Sequence, residues 1–171
     1  TLGILGMGRI GSMVWKRSEH LFQHRYDLVD GANLSDCDVV SIHVPLNDNI
    51  DLVDASFIGK MKPGAYLINT SRGEIVNPYA LLDALEAGHL AGAALDVLPG
   101  EFTPTFQCID HPLVAYAREN DNLILTPHIG GSVRSAWRDT ERFCIDKILE
   151  VCYETSFDHS QTWPPPWSNQ E

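Results

Sequence analysis

Basic residues are scarce in this 171-residue chain: 12 Lys and Arg stand against 23 Asp and Glu, a formal charge of -11. A surface of that sign argues against nucleic acid and anionic membrane as partners. No apolar run approaches the roughly 20 residues that span a bilayer. No basic segment leads into an apolar stretch at the start, so no signal peptide is expected. The four cysteines, Cys37, Cys108, Cys144 and Cys152, form no CxxC pair and no metal-ligand spacing with histidine. They predict no metal site; in a chain this long they read as reduced thiols of a cytoplasmic protein, small and buried or half-buried. No internal repeat is present. What remains is an ordinary globular composition, 44% hydrophobic, enough for one domain or one domain and a tail.

What is there is an alternation of apolar runs and helical stretches. Strands are expected at Thr1–Leu5, Val39–Val44, Ala65–Asn69, Ala91–Val97 and Asn122–Thr126. Helices are expected from the glycine loop to about Phe22, over Asp54–Met61 and Pro78–Ala87, and from Ser132 to about Tyr153. Pro63-Gly64 and Gly88 punctuate helix ends. Strands apolar on both faces, alternating with helices, predict a doubly wound parallel α/β sheet. The dinucleotide-binding domain is placed at 1–153. From 154 to 171 the composition changes to polar residues around Trp163-Pro-Pro-Pro-Trp167. Consecutive prolines favour polyproline II, so this reads as an extended tail, either docked through its tryptophans or free.

Two groups of residues carry chemistry. Gly6-x-Gly8-x-x-Gly11 follows an apolar strand and opens a helix. In that context the first glycine permits the turn, the second lets the backbone approach a pyrophosphate, and the third allows close helix–strand packing. An acid about 20 positions further on usually binds the adenosine ribose. Asp30 stands at that distance, behind Arg25-Tyr-Asp-Leu-Val29, and equally suits a turn before Gly31. The second group is Arg72, Glu101 and His128, each just past an apolar strand. In an open α/β sheet that edge binds ligands.

The chain resembles the nicotinamide-binding domain of the D-isomer-specific 2-hydroxyacid dehydrogenases, from Leu2 to about Glu150. The family includes D-3-phosphoglycerate, D-lactate, glyoxylate/hydroxypyruvate and formate dehydrogenases and the C-terminal-binding-protein corepressors. The resemblance rests on Gly6-Met-Gly-Arg-Ile-Gly11, Asp38-Val-Val-Ser-Ile-His-Val-Pro-Leu46, Met61 to Gly73, Leu90-Ala-Gly-Ala-Ala-Leu-Asp-Val97 and Leu125-Thr-Pro-His-Ile-Gly-Gly-Ser132. It implies a Rossmann-like fold and NAD as cofactor, with NADP the alternative. It implies a small 2-hydroxy or 2-oxo acid as substrate and a homodimer as the assembly. Arg72 then anchors the substrate, Glu101 is the glutamate beside the catalytic histidine, and His128 is the acid/base. Arg9 and Ile10 lie along the pyrophosphate, Val44 and Pro45 border the adenosine half, and Thr70, Ser71, Asp96, Gly130 and Gly131 surround the nicotinamide. Asp110-His-Pro-Leu113 is a turn before a short helix in the family pattern, not a metal site.

The chain departs from the pattern in three places. The interval from Gly11 to Asp38 is too short for a complete mononucleotide fold, so the sheet is shortened between the first helix and the His43-Val-Pro-Leu46 strand. One register keeps Phe22 to Asp30 as the second strand and loses the elements after it. The other matches Arg17-Ser-Glu19 to the loop beyond that strand and loses the strand. The first is preferred, because helix plus strand fits the spacing from glycine to acid. Second, the chain starts at the first strand, so the family's substrate domain is expected to be absent. Third, Gly100 and Phe102 flank Glu101 where the family usually has an acid and a proline. Three functional readings follow: a dehydrogenase that turns over poorly or not at all by itself, a nucleotide-binding interaction module, and an inactive fragment.

Overall fold

The computed structural model describes residues 1–28 and 34–154, with side chains described up to residue 150. Asp30 and, of the tail expected over 154–171, residues 155–171 lie outside the described residues, while Glu154 closes a helix. The described chain forms two units, Thr1–Gly130 and Gly131–Glu171.

The first unit is built on β1 (Leu2–Leu5), β2 (Arg25–Asp27), β3 (Val39–Ile42), β4 (Ala65–Asn69), β5 (Leu90–Leu95) and β6 (Leu123–Leu125). All neighbours pair in parallel, in the order β2-β1-β3-β4-β5-β6. The expected doubly wound α/β sheet is therefore present. Its order reverses between β1 and β3, the switch point at which such sheets open a crevice for ligands. The shortening falls where the glycine-to-acid spacing puts it. Arg25–Asp27 pairs with β1 despite its charged residues, and a 3-10 turn, Leu34–Asp36, leads on to β3. The register that keeps the second strand is the one observed.

Five helices accompany these strands among the described residues: α1 (Arg9–Arg17), α2 (Ala55–Gly59), α3 (Pro78–Glu86), α4 (Pro112–Ala117) and α5 (Arg134–Glu154). Their starts follow from local chemistry. Asp54 accepts the Phe57 N–H at 2.8 Å, and Asn77 accepts from Tyr79 and Ala80 with Pro78 in the first turn. The first helix ends at Arg17, short of the expected Phe22. Ser18 turns the chain there, its hydroxyl donating to the Trp15 carbonyl. Leu81, Ala84 and Leu85 form the buried stripe of α3 and pack with Ile58, Met61 and Leu113 on Val40, Ile42, Leu67, Leu95 and Leu123 of the sheet. Each leucine, isoleucine, valine or methionine fully buried there contributes about 1.5–3 kcal/mol over leaving it in water. On the opposite face Tyr66 and Ile124 are exposed. Cys37 is buried as expected, but Cys108 and Cys144 are exposed, Cys108 in a 3-10 turn on the surface and Cys144 on α5.

The second unit contains α5. Lys147 pairs with Glu150 one turn on and lies 5.9 Å from the Phe143 ring centroid. Trp137, Phe143, Ile145 and Ile148 on this helix are exposed.

The turn and helix expected at Asp110 to Leu113 are observed, and they make α4 sensitive to pH. His111 Nδ1 accepts the Leu113 N–H at 3.3 Å as the helix cap. Burial pushes the imidazole below its ordinary value of 6.5. The folded chain thus favours the neutral ring, so this contribution is complete above 6.5 and is lost as pH falls through the folded value. Denaturant midpoints between pH 8 and 5 should decline on the acid side, and His111→Asn, which keeps a capping oxygen, should flatten the decline. An unchanged pH profile in that variant would refute the assignment.

Candidate active site

Because all six strands run parallel, the loops that leave β1, β3, β4, β5 and β6 rise from one edge of the sheet. The glycine loop lies at the switch point. Gly6 has φ +103°, and a Cβ there would sit 2.8 Å from the Val44 nitrogen and the His43 carbonyl carbon. The end of β3 therefore runs against the loop, which brings Val44 and Pro45 beside it. Gly11 is buried, and its missing Cβ would lie 2.0 Å from the Gly6 carbonyl oxygen. A Cβ on Gly8 would meet nothing within 4 Å, so its surface is open. Gly8 precedes α1 with no side-chain cap, and no acid occupies the first turn. The amides of Arg9 and Ile10 thus open a helix N-terminus that suits an anion such as a pyrophosphate. Close glycine packing, an uncapped helix start and an exposed Gly8 are the features a dinucleotide needs, and the loop fits NAD on that ground.

The other end of the edge carries the trio, one residue from each of three adjacent strands. After β4, buried Asn69 organises the turn: its Oδ1 accepts from the Ser71 amide and hydroxyl, and its Nδ2 donates to the Arg72 carbonyl. Arg72 is exposed and donates through Nη1 to the Ser71 carbonyl. Thr70 is exposed beside them. After β5, Glu101 reaches across to the loop after β6, where His128 Nδ1 lies 2.7 Å from Glu101 Oε1. The second carboxylate oxygen accepts the Leu98 N–H at 3.4 Å. An ionised carboxylate only accepts, so this contact places the proton on Nδ1 and leaves Nε2 its lone pair. The Phe102 ring meets the imidazole edge-on, with centroids 5.3 Å apart.

His128 has φ +52°, a left-handed backbone unusual for a residue with a side chain and costing roughly 1–2 kcal/mol. Asp96 holds it there. Its carbonyl accepts the His128 N–H at 2.9 Å. Its carboxylate accepts from Thr126 Oγ1 and from the amides of Ile129, 2.9 Å, and Gly130, 2.7 Å. Burial alone would raise this carboxyl; the bonds from Thr126, Gly130 and Ile129 and the neighbouring His128 outweigh it and set it below its ordinary value. Asp96, expected at the cofactor, thus spends its carboxylate on the loop that carries His128.

Arg72, Glu101 and His128 thus all stand in loops that leave the same edge of the sheet, and Glu101 and His128 are in direct contact. Gly131 belongs to the second unit. Sequence reasoning missed Asn69, Thr126 and Glu74, whose Oε1 accepts the Gly100 N–H. The available signal was their position: Asn69 and Thr126 are polar residues closing apolar runs, and Glu74 follows the arginine by two.

Residues 1–130 match the family described as D-isomer specific 2-hydroxyacid dehydrogenase, NAD binding domain. Among relatives, the D-specific alpha-keto acid dehydrogenase of Enterococcus faecalis (strain ATCC 700802 / V583) is 37% identical over 177 residues, covering 93% of this chain and 54% of that protein. The D-3-phosphoglycerate dehydrogenase of Escherichia coli (strain K12) is 42% identical over 153 residues, covering 79% of this chain and 36% of that protein. A solved D-isomer specific 2-hydroxyacid dehydrogenase from Lactobacillus delbrueckii ssp. bulgaricus, in its NAD complexed form, superposes with a TM-score of 0.76 at 28% identity, over 94% of this chain and 54% of that one. The chain spans between about a third and about half of the length of these relatives.

Proposed function

The chain belongs to the D-isomer-specific 2-hydroxyacid dehydrogenase family, whose NAD-binding domain it carries, and we propose that it serves the interconversion of a small 2-hydroxy acid and its 2-oxo acid. The bound nicotinamide supplies the hydride chemistry. The glycine loop from Gly6 to Gly11, with Arg9 and Ile10, holds the pyrophosphate, and Val44 and Pro45 border the adenosine side. Thr70, Ser71, Asp96 and Gly130 frame the nicotinamide side, and Asp30 takes the ribose. Arg72 binds the substrate carboxylate, a planar anion that its guanidinium fork suits. In oxidation His128 Nε2 takes the hydroxyl proton, and in reduction it returns it. Glu101 holds the Nδ1–H and balances the charge the ring acquires.

The observation that carries this reading is the 2.7 Å contact between His128 Nδ1 and Glu101 Oε1. It occupies Nδ1 and leaves Nε2 as the nitrogen that can exchange a proton with substrate. A second reading, a nucleotide-binding module with weak or no turnover, is favoured by the exposure of the site in this chain. Arg72 is exposed, the His128 side chain is 32% accessible and Phe102 is 72% accessible. Water at the reacting centre weakens every electrostatic contact there. We propose that the chain alone turns over slowly or not at all. Cytoplasmic location, homodimer assembly and one dinucleotide-binding domain over 1–153 complete the proposal. No helix among the described residues is long and apolar enough to cross a membrane.

Calorimetric titration with NADH tests the cofactor half, and NADH oxidation in the presence of glyoxylate, hydroxypyruvate or pyruvate tests the rest. Absence of NADH binding would sink both readings; binding with an ordinary turnover rate would sink the second. Gly11→Ala forces a Cβ onto the Gly6 carbonyl, and overpacking of this kind costs about 1–3 kcal/mol. The variant should bind NADH about tenfold more weakly or worse, and unchanged affinity would show that the cofactor does not use the loop.

A further inference from the structure

Glu74 lies outside the trio, yet the structure ties it to two of its members. The 3-10 turn Gly73–Ile75 starts one residue after Arg72. Gly73 packs on the loop after β5 so closely that a Cβ would stand 2.0 Å from the Leu98 carbonyl carbon and 2.4 Å from the Pro99 nitrogen. The next residue, Glu74, sends its carboxylate to the same loop, where Oε1 accepts the Gly100 N–H at 3.1 Å. Gly100 has φ +76° and is the residue before Glu101. The turn is itself held from its other side. The Glu74 carbonyl accepts the Asp51 N–H at 2.9 Å, and the Ile75 carbonyl accepts that of Val53 at 2.9 Å.

We propose that Glu74 is a positioning residue of the acid/base pair: its carboxylate anchors Gly100 and so fixes the direction from which Glu101 reaches His128. The assignment rests on the reading of Glu101 and His128 as that pair. A glycine with positive φ has several accessible backbone states, and the residue after it swings with them. Within the loop, Glu101 is restrained by its own contacts to Leu98: its amide donates to the Leu98 carbonyl and its Oε2 accepts the Leu98 N–H. Those contacts keep the loop closed on itself. The bond from Glu74 joins it to the turn that bears Arg72. The substrate anchor and the glutamate that orients the imidazole therefore share one support, and Glu74 is a side-chain link between them.

The test uses the full chain and does not depend on turnover. In wild-type protein the Gly100 amide should exchange slowly with solvent, and the His128 Nδ1–H should give a downfield proton resonance from its bond to Glu101. Glu74→Ala should lose or broaden that resonance while NADH affinity stays unchanged, because the glycine loop is built without Glu74. Glu74→Gln keeps an acceptor oxygen and should restore the resonance. A role in stability alone would lower the melting temperature of Glu74→Ala without altering the resonance. The proposal is overturned by fast exchange of the wild-type Gly100 amide, by an unchanged resonance in Glu74→Ala, or by a Glu74→Gln variant no better than alanine. If Glu74→Ala does not fold, the wild-type exchange and Glu74→Gln decide. Loss of NADH binding in the wild type would instead overturn the functional reading, so the two failures are distinct.

Discussion

Asp96→Ala should lower the thermal midpoint by about 5–10 °C, equivalent to about 2–3 kcal/mol in a chain of this size. Asp96 is 6% exposed, and its carboxylate accepts three hydrogen bonds, from Thr126, Ile129 and Gly130. Alanine leaves those donors without an acceptor and removes the brace from a histidine held at φ +52°. Asp96→Asn should fall between wild type and alanine. One of its side-chain atoms remains an acceptor, but its amino group would face a donor. The pH dependence has a definite sign. The folded carboxyl lies below its ordinary value of 3.8, so its stabilisation is present above that pH and is lost as pH falls through the folded value. In Asp96→Ala the acid end of the stability curve should therefore flatten. Calorimetric melts at pH 7 and pH 3 read both effects, and a variant that melts like wild type would show that the His128 loop stands without Asp96.

The same residue marks where the sequence stops being legible. Strands of a parallel sheet appear as apolar runs even where one face stays exposed, so β3, β4, β5 and β6 are visible in the order of residues alone, and a glycine loop between strand and helix identifies β1 and α1. The trio is visible for the same reason: in a parallel sheet every strand end lies on one edge, so a polar residue after each run marks that edge. Contacts between loops leave no such trace. Asp96 and Gly130 are 34 positions apart, and Glu74 and Gly100 are 26 apart, with no periodicity to connect them. Resemblance placed Asp96 at the cofactor, whereas its hydrogen bonds point first to the His128 loop. The early end of α1 is invisible for a local reason: Ser18 competes for backbone bonds, a choice that composition does not settle. The short second strand is half legible. The distance from glycine to acid called for it, while Asp27 argued against it, and pairing with β1 prevailed over propensity.

The largest effect belongs to His128. Wherever the chain supports reduction of a 2-oxo acid, His128→Asn should lower kcat by about 10²–10⁴-fold, the range set by general acid–base catalysis. NADH affinity should change by no more than about twofold, since the glycine loop is untouched. Asparagine can still donate to Glu101, so the contact across the two loops survives while the titrating nitrogen is gone. Glu101→Gln removes the opposite half. Its carbonyl oxygen can still accept the Nδ1–H, which preserves the tautomer, but a neutral amide does not balance the charge on a protonated ring. Its loss of kcat should therefore be smaller than that of His128→Asn. Because the carboxylate acts through the imidazole, the double variant should be no slower than His128→Asn alone; residues that work as one unit are not additive. Initial rates of NADH oxidation at saturating 2-oxo acid, for the two single variants and the double, provide the measurement. A double variant slower than His128→Asn by the full factor seen for Glu101→Gln would mean that Glu101 acts on the substrate independently, and the 2.7 Å contact would then not be the working link of the site.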